Sequence, residues 1–122
     1  MKNFTIGKEI NAIITQANIQ GIGSKVFPIV ATPNTTFPFV VYRRNNYRPA
    51  SNKDLEDEIV TIEVIVASTK YEESVTLANS VATALEHKET EDIEDIRIIN
   101  LFEDFYADTF IQHITIDVYV RN

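Results

Sequence analysis

Glu58-Ile59-Val60-Thr61-Ile62-Glu63-Val64-Ile65-Val66-Ala67 is the stretch that decides the fold. Successive side chains on a strand point to opposite faces of a sheet, so Val60, Ile62, Val64 and Val66 make one wholly apolar face. Ile59, Thr61, Glu63 and Ile65 make the other, mixed face. An apolar sheet face has to be covered, and the sequence supplies a helical pattern on each side of the strand. Upstream, Phe4, Ile6, Ile10, Ile13, Ile14 and Ala17 recur as one face of a helix. Gly7 weakens that helix slightly, and Asn18 to Gly23, with Gly21 and Gly23, closes it. Downstream, Tyr71, Val75, Ala78, Ala82 and Leu85 predict a second amphipathic helix. Thr69-Lys70-Tyr71-Glu72 has the capping-box spacing that would open it. His87 falls at its end, where a cation complements the helix dipole.

The remaining segments read as strands. Val26-Phe27-Pro28-Ile29-Val30 carries an internal proline, which restricts it to a sheet edge. Phe37-Pro38-Phe39-Val40-Val41-Tyr42 begins a strand that continues to Arg48 and is stopped by Pro49. Ile96–Phe102 is a further strand. Phe110–Val120 alternates, with Ile114, Ile116, Val118 and Val120 inward and His113, Thr115, Asp117 and Tyr119 outward. The expected order is α-β-β-β-α-β-β in a single domain spanning residues 1–122. Short connections favour a mostly antiparallel sheet of about five strands with two helices on one face, the α+β class.

Charge is segregated along the chain. Residues 1–53 carry seven basic side chains and one acid, a net of +6, whereas residues 54–122 carry four basic side chains and 17 acids, a net of −13. The overall charge of −7 argues against a general nucleic-acid binder, because the field of the whole protein repels phosphate. The absence of cysteine removes disulfide frameworks, thiolate metal sites and cysteine nucleophiles. No apolar run approaches the ~20 residues of a membrane helix, and the N-terminus lacks the apolar stretch of a secretion signal. The expectation is a non-secreted, cytoplasmic chain.

The search for chemistry yields no catalytic, cofactor or metal site. Gly21-Ile22-Gly23-Ser24-Lys25 fails the spacing of a phosphate loop and precedes a strand instead of a helix. His113, beside Thr115 and Asp117 on one strand face, lacks the nucleophile and the aim of a triad and reads as a solvated or interface histidine. The pairs Glu72-Glu73 and Glu103-Asp104 diverge, as neighbours in sequence do. The acids of Glu91–Asp95 lack the glycine and terminal glutamate of a calcium loop and read as a solvated loop. The distinctive constellation is Tyr42-Arg43-Arg44-Asn45-Asn46-Tyr47-Arg48, a composition typical of protein interfaces. The acids Asp54, Glu56, Asp57 and Glu58 follow it. Tyr42, Arg43, Arg44, Tyr47 and Arg48 could stack on nucleic acid, but an oligomer interface is the favoured reading. The acids would neutralise Arg43, Arg44 and Arg48 either in the same hairpin or, as the hypothesis has it, on a neighbouring copy across a subunit boundary.

These segments, taken in order, resemble the tail-completion, or tail-terminator, proteins of long-tailed phages and prophages. The resemblance lies in the opening helix, Val26-Phe27-Pro28 ahead of Phe37-Pro38-Phe39-Val40-Val41-Tyr42, Glu58–Ala67, the helix Tyr71–Leu85 and the closing Ile116-Asp117-Val118-Tyr119-Val120. It implies an α+β fold that assembles head-to-tail into a homo-oligomeric ring, a hexamer in the best-known relatives. Such a ring caps the tail tube, ends its growth and offers a surface to the head-side connector, without catalysis. The implied partners are the chain itself, the tail-tube protein, the connector and, passively, DNA in the lumen. The implied location is the host cytoplasm during assembly and then the virion tail. The rival reading is an intracellular α+β binding module, a two-fold dimer holding a small ligand or a protein partner.

Overall fold

A computed structural model describes residues 4–49 and 58–121 of the chain. The elements run α1 (Ile6–Gln16), β1 (Val26–Pro28), β2 (Phe39–Pro49), β3 (Glu58–Ser68), α2 (Tyr71–Leu85), β4 (Ile93–Tyr106) and β5 (Thr109–Val120). One five-stranded sheet has the spatial order β1-β2-β3-β5-β4, antiparallel except where β1 joins β2. The Glu58–Ala67 stretch is therefore the middle strand. Val60, Ile62, Val64 and Val66 on β3 and Ile114, Ile116, Val118 and Val120 on β5 are all fully covered. They form the floor of the core, on which both helices lie. The fold is the α+β arrangement expected.

α1 buries Ile6, Ile10, Ile13 and Ile14 and lies over β1 and β2. Gly7 has a packing reason: a Cβ there would stand 3.2 Å from the Tyr42 ring, so the glycine lets the helix start lie close to β2. The helix stops at Gln16, and Asn18, Gly21 and Gly23 take left-handed backbone in the loop beyond it.

α2 differs from expectation in three respects. Its buried stripe is Ser74, Leu77, Val81 and Leu85, with Ala78 and Ala82 at its border, while Tyr71 and Val75 are exposed. The polar member of the stripe explains the difference. Ser74 donates to the Tyr71 carbonyl at 2.6 Å and accepts from Gln112 at 3.2 Å, so a serine sits in the core at little cost. The capping box does not form. Lys70 holds the N-cap position without a side-chain bond, and Ser68 instead accepts the Lys70 N–H and donates to Glu73. His87 is not in the last turn either. The helix ends at Leu85, and His87 takes a left-handed backbone with φ +60°, its ring 3.2 Å from Asp95.

β4 is longer than the periodicity indicates, 14 residues from Ile93 to Tyr106. Its register slips between Ile93 and Asp95 and again between Ile98 and Asn100, which breaks the two-residue alternation. The acidic loop before it is tied down. Thr90 donates to Glu9 on α1 at 2.8 Å, and Arg121 pairs with Glu89 and donates to the Thr90 carbonyl. No helix among the described residues is long and apolar enough to cross a membrane.

Candidate assembly interface

The sheet face away from the helices carries a polar network in place of a second apolar layer. Glu63, in the middle strand, is 7% exposed and accepts a two-pronged ion pair from Arg43 on β2, with N···O distances of 2.9 and 2.7 Å. Its other oxygen lies 2.8 Å from His113 Nδ1 on β5. Phe102 of β4 stacks flat on the His113 ring with centroids 4.1 Å apart. His113 is thus covered, 14% exposed, which removes the solvated half of the solvated-or-interface expectation. Burial alone would raise the Glu63 carboxyl, but the hydrogen bonds from His113 and Arg43 outweigh it and hold the group below the ordinary glutamate range. One strand pair along, Thr61 donates to buried Asp117 at 2.7 Å. Arg97 covers the Tyr119 ring at 4.7 Å and pairs with Asp95. Among the described residues no three histidine, aspartate or glutamate side chains gather as a metal site.

The residues singled out in the sequence are dispersed by this arrangement. Tyr42 is a buried residue on the helix side, 9% exposed, and lines the pocket beside Phe4 and Ile29. Arg43 serves Glu63 of its own sheet, and Arg44 lies over the Phe4 ring at 4.5 Å. Glu58 is buried at the end of β3 and accepts from the Tyr47 hydroxyl, which pushes that phenol above its ordinary value. Arg48 stands opposite Ile59 in the ladder. Asp54, Glu56 and Asp57 lie outside the described residues.

What sequence reasoning missed is the difference between the two edges of the sheet. The β1 edge is closed to further pairing. The bonds Val40 N–H to Lys25 and Ile29 N–H to Tyr42 turn Lys25 and Ile29 toward β2, leaving Val26 and Pro28 facing out. The Val26 N–H is used by Ser24, its carbonyl by Asn11, and Pro28 has no N–H while its carbonyl takes the Val30 N–H. Beside this blunted edge Ile29 is 74% and Val30 70% exposed. Ile29 also has φ +67°, a left-handed backbone that a β-branched residue adopts only at a cost. Replacing Ile29 with asparagine, which tolerates that backbone, is expected to stabilise the monomer by about 1 kcal/mol in chemical denaturation. A destabilised variant would contradict the strain. A pocket of about 230 Å³ opens next to it, lined by Phe4, Ile6, Gly7, Pro28, Ile29 and Arg44 among others.

The β4 edge is the opposite in character. Among the described residues β4 has no strand on its outer side, and its distal half displays apolar side chains: Leu101 is 61%, Phe105 55% and Tyr106 75% exposed, with Ile99 and Phe102 also open. α2 packs chiefly on β3 and β5. On β4 the helix side is buried at Ile93 and Ile96, and further along the Tyr71 hydroxyl of α2 donates to Glu103 at 3.0 Å. The hairpin turns through Ala107 and Asp108, both with positive φ. The available signal was the cluster Leu101-Phe102 and Phe105-Tyr106, which puts large apolar groups on both faces of a hairpin tip where only one face can be buried.

No protein-family model and no curated protein sequence matches the chain. The fold is shared with a solved structure. A chain in the virion of a native gene transfer agent particle superposes with a TM-score of 0.70 at 12% identity, covering 93% of this chain and 84% of that one.

Proposed function

We propose that this chain is a structural protein of a phage or prophage virion, the tail-completion protein that forms a ring on the end of the tail tube. The observation that supports the reading is the fold likeness to a virion chain over 93% of the residues, together with the ordered segments that resemble tail terminators. The ring has six copies, as in that family, and its unlike sides meet head-to-tail. It touches the tail-tube protein on one side and the head-side connector on the other, with DNA passing through the lumen. It assembles in the host cytoplasm and ends in the virion tail, catalysing nothing. Arg43, Arg44 and Arg48, with Tyr42 beside them, belong to the basic side of the subunit boundary, and Asp54, Glu56 and Asp57 to an acidic side, while Tyr47 and Glu58 are joined within one copy.

Arg44 is the arginine to test, because reversing Arg43 would also set a second carboxylate against buried Glu63. Arg44→Glu should block assembly and leave a folded monomer; an unchanged oligomer mass contradicts the basic boundary. The function itself is tested by deleting the gene from a genome that carries it. Over-long, headless tails in electron micrographs are the expected result. Normal-length tails joined to heads would overturn the reading.

A further inference from the structure

We infer that the tip of the β4–β5 hairpin is the apolar anchor of the contact between copies, seating on the Phe4/Ile29/Val30 surface beside the blunted β1 edge of the next copy. This rests on the ring reading and names the part of the boundary that reading leaves open.

Four observations converge. First, the two surfaces lie on opposite edges of one sheet, the arrangement a head-to-tail contact needs. The ladder even sets them level: Pro28 pairs with Tyr42, Tyr42 with Val64, Val64 with Ile114, and Ile114 with Leu101. Second, their charges are opposite. Residues 98–108 hold Glu103, Asp104 and Asp108 with no Lys or Arg, whereas Arg43 and Arg44 line the pocket of the other surface. Third, one side offers knobs and the other a hole. Phe105 and Tyr106 project at the hairpin tip, and the pocket of about 230 Å³ beside Ile29 is lined by Phe4, Ile6, Pro28 and Ile62 together with Tyr42, Arg43 and Arg44. An aromatic side chain filling a pocket is how interface energy concentrates. Fourth, Ile29 breaks a local rule, an exposed β-branched residue in a left-handed backbone, and such positions persist where function holds them.

The competing arrangement, two β4 strands pairing across a two-fold axis, is opposed by charge. β4 carries Glu94, Asp95, Glu103 and Asp104 against one Arg97, a net of −3, so two such strands brought edge to edge repel overall. Extension of the sheet from β4 onto β1 is closed by Pro28 and by the bonds that occupy Val26. The contact is therefore made by side chains and not by a continued ladder.

Two variants test this. Leu101→Asp with Phe105→Asp removes the hairpin side, and Ile29→Asp with Val30→Asp removes the pocket side; all four residues are exposed, and circular dichroism checks that each variant is folded. Wild type is weighed first by light scattering. Each variant alone should weigh 13.9 kDa, and an equal mixture should reach twice that and stop, because one intact surface of each kind remains. A mixture that stays monomeric, or variants that assemble like wild type, would overturn the surface assignment and leave the ring reading standing. A wild type that never assembles would overturn the ring reading itself. Hydrogen exchange on wild type at rising concentration supplies a check free of substitutions. Protection should increase together in residues 99–108 and 28–30, and protection confined to either segment would overturn the pairing.

Discussion

Ile116→Ala should lower the free energy of unfolding by about 2–5 kcal/mol, a large share of the roughly 5–15 kcal/mol that holds a domain folded. Ile116 is completely covered on β5, between Ile62 of the middle strand and Ile98 of β4. Truncation there loses the transfer energy of the removed methyl and methylene groups and leaves a cavity, because the flanking ladders hold the backbone in place. Urea denaturation should show an earlier midpoint with an unchanged slope. A cost under about 1 kcal/mol would mean that the helices do not seal this face, since Ile to Ala in a closed core always exceeds that.

Glu63→Ala should cost about 1–3 kcal/mol, the range for leaving a buried hydrogen-bonding group without its partner. The two partners fare differently. Arg43 is 53% exposed and can turn to water, whereas His113 is 14% exposed beneath Phe102 and has little access to it. Most of the loss therefore comes from His113. The acid dependence follows from the sign of the Glu63 shift. Its folded carboxyl titrates below the unfolded one, so its contribution is fully present above the ordinary glutamate range of about 4.3 and is lost as pH falls through the folded value. Glu63→Gln should flatten the stability profile over that acid window. A profile as steep as wild type would assign the acid sensitivity elsewhere.

Much of the architecture could be read from residue patterns. The Glu58–Ala67 alternation identified the core face, and Pro28 correctly confined β1 to an edge. The α2 stripe was misread because Tyr71, Val75, Ala78 and Ala82 fit helical spacing as well as Ser74, Leu77 and Val81 do. Only the tertiary partners of Ser74 decide between them. The length of β4 was hidden by two bulges. The polar network was hidden for a different reason: Arg43, Glu63 and His113 are scattered in sequence and meet only through the β2–β3–β5 register.

For the candidate site, the sequence offered a composition and no positions. Segregated charge and the Tyr-Arg run led to the expectation of a contact between copies, but Tyr42 entered the core and Arg43 pairs with Glu63 of its own sheet. The apolar surfaces at the two sheet edges could not be found from composition, because exposure depends on α2 packing chiefly on the inner strands β3 and β5. Ile29 was equally silent, since its cost lies in a backbone angle and not in its type.

The most direct test of the central claim, that this protein acts by closing into a ring of head-to-tail copies, is its absolute mass by light scattering behind a sizing column at low and high salt. The account predicts a single species near six times 13.9 kDa at low salt that loosens as salt screens the charged part of the contact. A two-copy species at every salt concentration would contradict it, because a two-fold contact uses the same patch on both copies and leaves nothing to close a ring.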